Sequence, residues 1–160
     1  MVSREISMPI PEPPRLTARD WTLLVIASAG GESLSPVQLQ KALFLIARNL
    51  SPEQLNCDAF YSFRPYDYGP FDSTIYTDAD RLDAEGFITI RDPNARAYRG
   101  YAATPAGLER AKRLETSLDA LVTNYLREIV AWVTKLSFSE LIRAIYKAYP
   151  EMKINSVFSE

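Results

Sequence analysis

The segment Leu34-Ser-Pro-Val-Gln-Leu39 constrains this chain more than any other stretch. Ser35 carries the side chain of a helix N-cap, Pro36 suits the first helical position, and Gln38 stands three residues after the cap, completing a capping box. Leu34 and Leu39 are spaced as a hydrophobic staple. From there Leu39, Ala42, Leu43, Ile46 and Leu50 recur on one helical face, and Phe44 with Leu45 makes a second side apolar. A helix apolar on two sides has to lie between neighbours, so the fold is organised around it.

Similar grammar places the neighbours. A first helix runs from about Thr17 to Ala29, with Thr17 as cap, Asp20 three residues on, and Gly30-Gly31 ending it. Ser51-Pro52 opens a short turn, and Ala59-Phe-Tyr-Ser-Phe63 has the composition of a short strand. After Gly69-Pro70 a third main helix is expected from about Asp72 to Glu85, with Ile75, Ala79 and Leu82 inward and Gly86 beyond its end. The stretches from Phe87 and Tyr98 flank Asp92-Pro93-Asn94 and read as a β-hairpin. Thr104-Pro105 then starts a long helical region. Ser137 and Glu140 form a further capping box before a stripe of Phe138, Leu141, Ile142, Ile145 and Tyr149. The segment Met152–Phe158 is too short to place, although Ile154, Val157 and Phe158 could dock.

Between Leu108 and Leu136 the residues Leu108, Ala111, Glu115, Leu118, Val122, Tyr125, Ile129, Trp132 and Leu136 follow steps of three and four. Only Glu115 interrupts this apolar or aromatic seam. Such a seam either pairs with a second chain or lies across its own domain; a break near Thr116-Ser117 would make two helices. The pairing reading leads, with Leu118, Val122, Tyr125, Ile129 and Trp132 as the dimer seam.

Composition narrows the chemistry. The 160 residues carry a net charge of −2 with 47% hydrophobic and 24% charged residues, ordinary for one globular domain. Histidine is absent, which removes the commonest general base and zinc ligand. The single Cys57 cannot form an internal disulfide or a Cys-His nucleophile, and it fits a reducing, cytoplasmic setting. No apolar run is long enough to span a membrane. Asp67, Asp72, Asp78, Asp80 and Asp83 do not have calcium-loop spacing, and no glycine-rich phosphate loop occurs. The expectation is a non-enzymatic protein without metal or cofactor.

Three helices, a hairpin and further helices give a mainly α fold with a small β-hairpin, in the order of a winged helix-turn-helix. The divisions expected are a Pro-rich arm over 1–16, a core over 17–105, a helical extension over 106–150 and a tail over 151–160. The third helix would be the one to enter a DNA groove, yet it holds five acids against the single Arg81. Phosphates repel such a helix. The hairpin is basic, with Arg91, Arg96 and Arg99 against Asp92. An acidic helix beside a basic hairpin suits a protein partner better than a duplex.

SPVQLQKALFLIARNL followed by FYSFRPYDYGPFDSTIYTDADRLDAEGFI resembles an uncharacterised, often phage-associated group of bacterial winged-helix proteins related to the Panacea domain of SocA-like antitoxins. The resemblance covers roughly residues 20–105 and rests on Gln40-Lys41, Leu43, Tyr68-Gly69-Pro70 and Tyr76. It implies a regulator that works by binding a protein, for which a toxin is the model. The contact surface expected is Tyr66, Asp67, Tyr68, Asp78 and Arg81. The alternative is a dimeric DNA-binding repressor that uses Arg81, Arg91, Arg96 and Arg99 on phosphates. The aromatic cluster of FRPYDYGPFDSTIY is expected to be scaffold more than ligand pocket, with Gly69 turning the backbone and Phe63, Phe71 and Ile75 facing inward.

Overall fold

The computed structural model describes residues 14–94 and 99–159. Most of the expected Pro-rich arm and Arg96 lie outside the described residues. The chain is mainly helical, with two small antiparallel hairpins. Its helices are α1 (Ala18–Ala27), α2 (Pro36–Asn49), α3 (Pro52–Leu55), α4 (Thr74–Ala84), α5 (Pro105–Glu115), α6 (Ala120–Lys135) and α7 (Phe138–Ala148). The strands are β1 (Arg64–Tyr66), β2 (Gly69–Phe71), β3 (Ile88–Arg91) and β4 (Gly100–Ala103), and a 3-10 turn covers Pro150–Lys153.

The capping boxes form as their sequence spacing predicts. Ser35 Oγ accepts from Gln38 N at 3.1 Å while Gln38 Oε1 accepts from Ser35 N at 2.9 Å. Equivalent reciprocal bonds join Thr17 with Asp20, Ser51 with Gln54, and Ser137 with Glu140. Each supplies acceptors to backbone donors that a helix start cannot satisfy internally. α2 is the central element. Leu39, Ala42, Leu43 and Ile46 are fully buried, and Phe44 and Leu45 are buried on its second side, with α1, α6, α7 and β2 packed around it.

Leu34 exchanges both backbone hydrogen bonds with Tyr101, each at 2.9 Å, and so adds one rung to β4. That rung ties the start of α2 to the β3–β4 hairpin. At the other end of this hairpin, Thr104 N donates to Phe87 O at 3.0 Å and Gly107 packs on the same peptide unit. A Cβ at Gly107 would collide with the Phe87 carbonyl oxygen, so glycine sets how closely α5 approaches.

The region whose spacing left open one helix or two is two helices, with the break at the Thr116-Ser117 position. α5 ends at Glu115, Thr116–Leu118 turn the chain, and α6 starts after Asp119. Val122, Leu126, Val130 and Val133 are the buried stripe of α6, which packs against α2 of the same chain. Val122 is 1% exposed, and Leu118, Ile129, Trp132 and Leu136 are half-buried against this core. Tyr125 is half-buried too, and burial pushes its phenol pKa up. The outward positions of α6 include Asn124, Arg127, Glu128, Thr134 and Lys135, a polar surface apart from Leu121 and small alanines. Of the five seam residues, Val122 is buried within the chain, and Leu118, Tyr125, Ile129 and Trp132 are partly covered by it. One hydrophobic cluster extends from Leu16 to Met152, so the 106–150 extension shares the core of residues 17–105.

Candidate functional site

The aromatic stretch predicted to link a strand to a helix is itself a hairpin. The expected Ala59–Phe63 strand does not form; pairing begins at Arg64 and matches Arg64 with Phe71, Pro65 with Pro70, and Tyr66 with Gly69. Asp67 and Tyr68 make the two-residue turn. Gly69 adopts φ +101°, a backbone state that side chains disfavour. Pro65 and Pro70 face each other at a position whose backbone groups point out of the ladder, their carbonyls meeting Asn155 and Lys41, so the N–H groups that proline lacks are not ladder donors.

Three polar side-chain groups hold this short hairpin from beneath. Gln40, 1% exposed, donates through Nε2 to Asp72 O at 2.9 Å and accepts from Asp72 N at 3.0 Å. Lys41, 3% exposed, donates from Nζ to Pro70 O at 3.1 Å. Asp72 then uses its carboxylate on Ser62 N, Thr74 N and Thr74 Oγ1 at 2.7–2.9 Å, which orients the entry to α4. Burial of the Lys41 ammonium lowers its pKa to about 7. The Gln40-Lys41 pair thus has a structural explanation: it bolts the Tyr-Gly-Pro segment to α2.

Above this mount the ring side chains divide. Phe71 packs on Tyr76 with centroids 5.7 Å apart, and Tyr66 stacks on Phe71 at 4.8 Å. Tyr68 meets the edge of Phe138 at 5.2 Å. Phe63 and Phe71 are partly buried on the core and Ile75 is fully buried, as expected of inward anchors. Tyr66 and Tyr68 remain 52% and 41% exposed, beside Phe138 at 46%. A shallow cleft of about 430 Å³ lies at Ser62, Arg64, Tyr66, Asp72 and Asn155.

The segment after α7 folds back over the turn. Val157 N donates to Asp67 O at 2.9 Å, Asn155 Nδ2 to Pro65 O at 3.2 Å, and Tyr146 Oη to Ser156 Oγ at 2.6 Å. Sequence reasoning missed this contact because Ile154, Val157 and Phe158 have no period long enough to declare a partner.

The other candidate positions are dispersed. Asp78 accepts from Tyr61 Oη at 2.6 Å, and Tyr61 also bonds Thr22, so Asp78 fastens α4 to the 59–63 loop and α1. Burial, followed by the Asp78 hydrogen bond, pushes the Tyr61 phenol pKa far up. Arg81 is exposed on α4 and Arg91 is exposed at the end of β3. Arg99 is turned largely inward, its Nε donating to Pro93 O at 2.9 Å and its guanidinium 4.0 Å from Asp80. It braces the hairpin against α4, which differs from the expected phosphate contact. Glu85 pairs with Arg19 at 3.9 Å. Four of the five acids of the third main helix, Asp72, Asp78, Asp80 and Glu85, therefore have partners within the chain.

Among the described residues no group of three or more His, Cys, Asp or Glu side chains is arranged to hold a metal ion. Cys57 is buried, bonds Ala59 O through Sγ, and has its thiol pKa raised by burial. No described helix is long and apolar enough to cross a membrane. The chain matches no family model, and neither curated proteins nor solved structures yield a significant match.

Proposed function

We propose that this chain is a non-enzymatic interaction module of the winged-helix type, an antitoxin-like regulator that binds a protein partner through the Tyr66–Tyr68 turn. The observation that carries the reading is the exposure of Tyr66 and Tyr68 on a hairpin anchored by Gln40 and Lys41. Large amphipathic rings presented on a stiff mount lose little conformational freedom when they bind, which is why tyrosine is enriched at protein interfaces. Asp67 lies between them and Arg64 beside them, supplying a polar rim.

The winged-helix part of the reading is supported by order and pairing. α1, the Leu34 rung, α2, α4 and the β3–β4 hairpin follow one another as in that architecture. The connection from α2 to α4 departs from it: residues 50–73 replace the tight turn of about 3–4 residues usual in a helix-turn-helix. The added hairpin lies in that connection, which favours a protein contact there over a groove-reading helix.

The test is affinity capture from a bacterial lysate with the wild-type chain and a Tyr66→Ser/Tyr68→Ser variant as baits. A stoichiometric protein partner lost from the variant, with melting unchanged within a few degrees, is the expected result. Equal capture by both baits would overturn the surface assignment.

One observation favours the DNA-binding alternative enough to keep it in the test. Asp80 and Glu85 are each within 4.0 Å of an arginine, which softens the repulsion expected of the third helix. A mobility-shift titration with duplex DNA at low salt, repeated on Arg81→Glu and Arg91→Glu, decides it. Retardation that both substitutions abolish would support the repressor reading.

A further inference from the structure

We infer that the surface formed by the Pro65–Asp67 edge of the first hairpin and by Phe138, Arg143 and Tyr146 of α7 is a peptide-binding seat, and that residues Asn155–Phe158 are its internal, displaceable ligand. The inference rests on the proposed contact surface only for its biological setting; the seat is argued from its own geometry.

Ser156 is the centre of that geometry. Its hydroxyl accepts from Tyr146 Oη at 2.6 Å and from Phe158 N at 3.0 Å, and donates to Asp67 O at 3.3 Å. A hydroxyl offers one donor and two acceptor lone pairs, so this site uses all three. Alanine there would leave the largely buried Tyr146 hydroxyl and the Phe158 amide without that acceptor. Main-chain recognition comes from Val157 N on Asp67 O, and Asn155 reads Pro65 O through its side-chain amide. Phe158 lies against Phe138 and Tyr146, with ring centroids 6.2 and 6.5 Å away, and the Arg143 guanidinium stands 5.9 Å over its ring. The seat therefore specifies an amide side chain, a hydroxyl, any residue, then an aromatic ring, in a segment that leaves a turn closed by Ser156 N on Lys153 O.

The occupant is only partly covered by the rest of the chain. Ile154 and Val157 are 79% and 62% exposed, so the segment buries only part of its apolar mass. The receiving side is built independently of it: Tyr146 packs beside Gly69, where an added Cβ would come within 3.3 Å of the tyrosine ring. Peptides bound by main-chain bonds and one or two side-chain pockets are a recurring mode of recognition. A tethered ligand of this kind has an effective concentration in the millimolar range, so an external peptide binds well only when the tether's own fit is weakened.

The experiment uses the full chain and a fluorescein-labelled peptide, KINSVFS, corresponding to residues 153–159. Anisotropy titrations compare wild type with Phe158→Ala and Ser156→Ala chains, each with its melting curve. The expected result is binding at least about tenfold tighter to both variants, because the internal competitor is weakened. Peptides KINAVFS and KINSVAS should bind the Phe158→Ala chain about tenfold more weakly than the parent peptide, and adding Tyr146→Phe to that chain should reduce the hydroxyl preference, the bonds to Asp67 O and the Phe158 amide remaining. Equal affinity of wild type and both folded variants, or equal affinity of the three peptides, would overturn the inference. Peptide binding that survives in the Tyr66→Ser/Tyr68→Ser chain, while that chain still captures its protein partner, would uphold the seat and remove the proposed contact surface.

Discussion

Lys41 places its Nζ 3.1 Å from the carbonyl oxygen of Pro70, and that contact joins the central helix to the one strand of the first hairpin that faces the core. A lysine 3% exposed has lost nearly all its water, so its charged form is penalised on folding.

This gives a pH dependence with a definite sign. In the unfolded chain Lys41 keeps its proton up to about 10.5, whereas in the folded chain it releases it near 7. Between these values the unfolded state binds more protons, so stability rises with pH from about 7 towards 10.5 and falls as pH drops through 7. The gain approaches ~1.4 kcal/mol per pH unit across that window. Urea melts of wild type and Lys41→Met at intervals from pH 6 to 10 check it: the substitution should flatten the rise.

Gln40 tests how firmly the hairpin is mounted. Gln40→Leu keeps the volume but leaves Asp72 N and Asp72 O without their side-chain partner, at a cost of about 2–3 kcal/mol. Gln40→Glu retains an acceptor for Asp72 N and loses the donor to Asp72 O. Its denaturation midpoint at neutral pH should also fall, because an ionised carboxylate would then be buried against a carbonyl.

Gly107→Ala should be among the most damaging small substitutions in the chain. The new methyl group would meet the Phe87 carbonyl oxygen, forcing α5 away from β3 and straining the Thr104–Phe87 hydrogen bond. A loss of about 2–4 kcal/mol is expected from chemical denaturation.

Val122→Ala distinguishes a seam inside the chain from one between chains. Since Val122 is buried beside α2, the substitution should cost roughly 2 kcal/mol. Its effect on melting should be the same at micromolar and hundred-micromolar protein, whereas a dimer seam would make melting depend on concentration. Sedimentation at both concentrations provides the companion measurement.

The sequence alone determined the features that depend on residues three or four apart. The Ser35–Gln38, Thr17–Asp20 and Ser137–Glu140 caps, the stripes of α2 and α4, and the turn geometry of Gly69 and Gly86 all form as local chemistry predicts. Local rules work there because the partners are close along the chain whatever the fold.

Tertiary structure decided what those rules could not reach. Prolines at 65 and 70 hid a hairpin of three-residue strands, and the more β-like Ala59–Phe63 remained a loop whose Tyr61 bonds Thr22 and Asp78 instead. The 3,4 spacing of Leu118 to Trp132 was legible, but spacing cannot say whether its apolar face meets another chain or α2. Gln40 and Lys41 read as polar positions on an otherwise apolar helix until folding brought Pro70 and Asp72, about thirty residues away, onto them. The seat of Ser156 at Asp67 spans 89 residues and leaves no periodic trace. Chain folding supplied those pairings, because a hydrogen bond to a distant carbonyl depends on where the backbone passes and carries no signature in neighbouring residues.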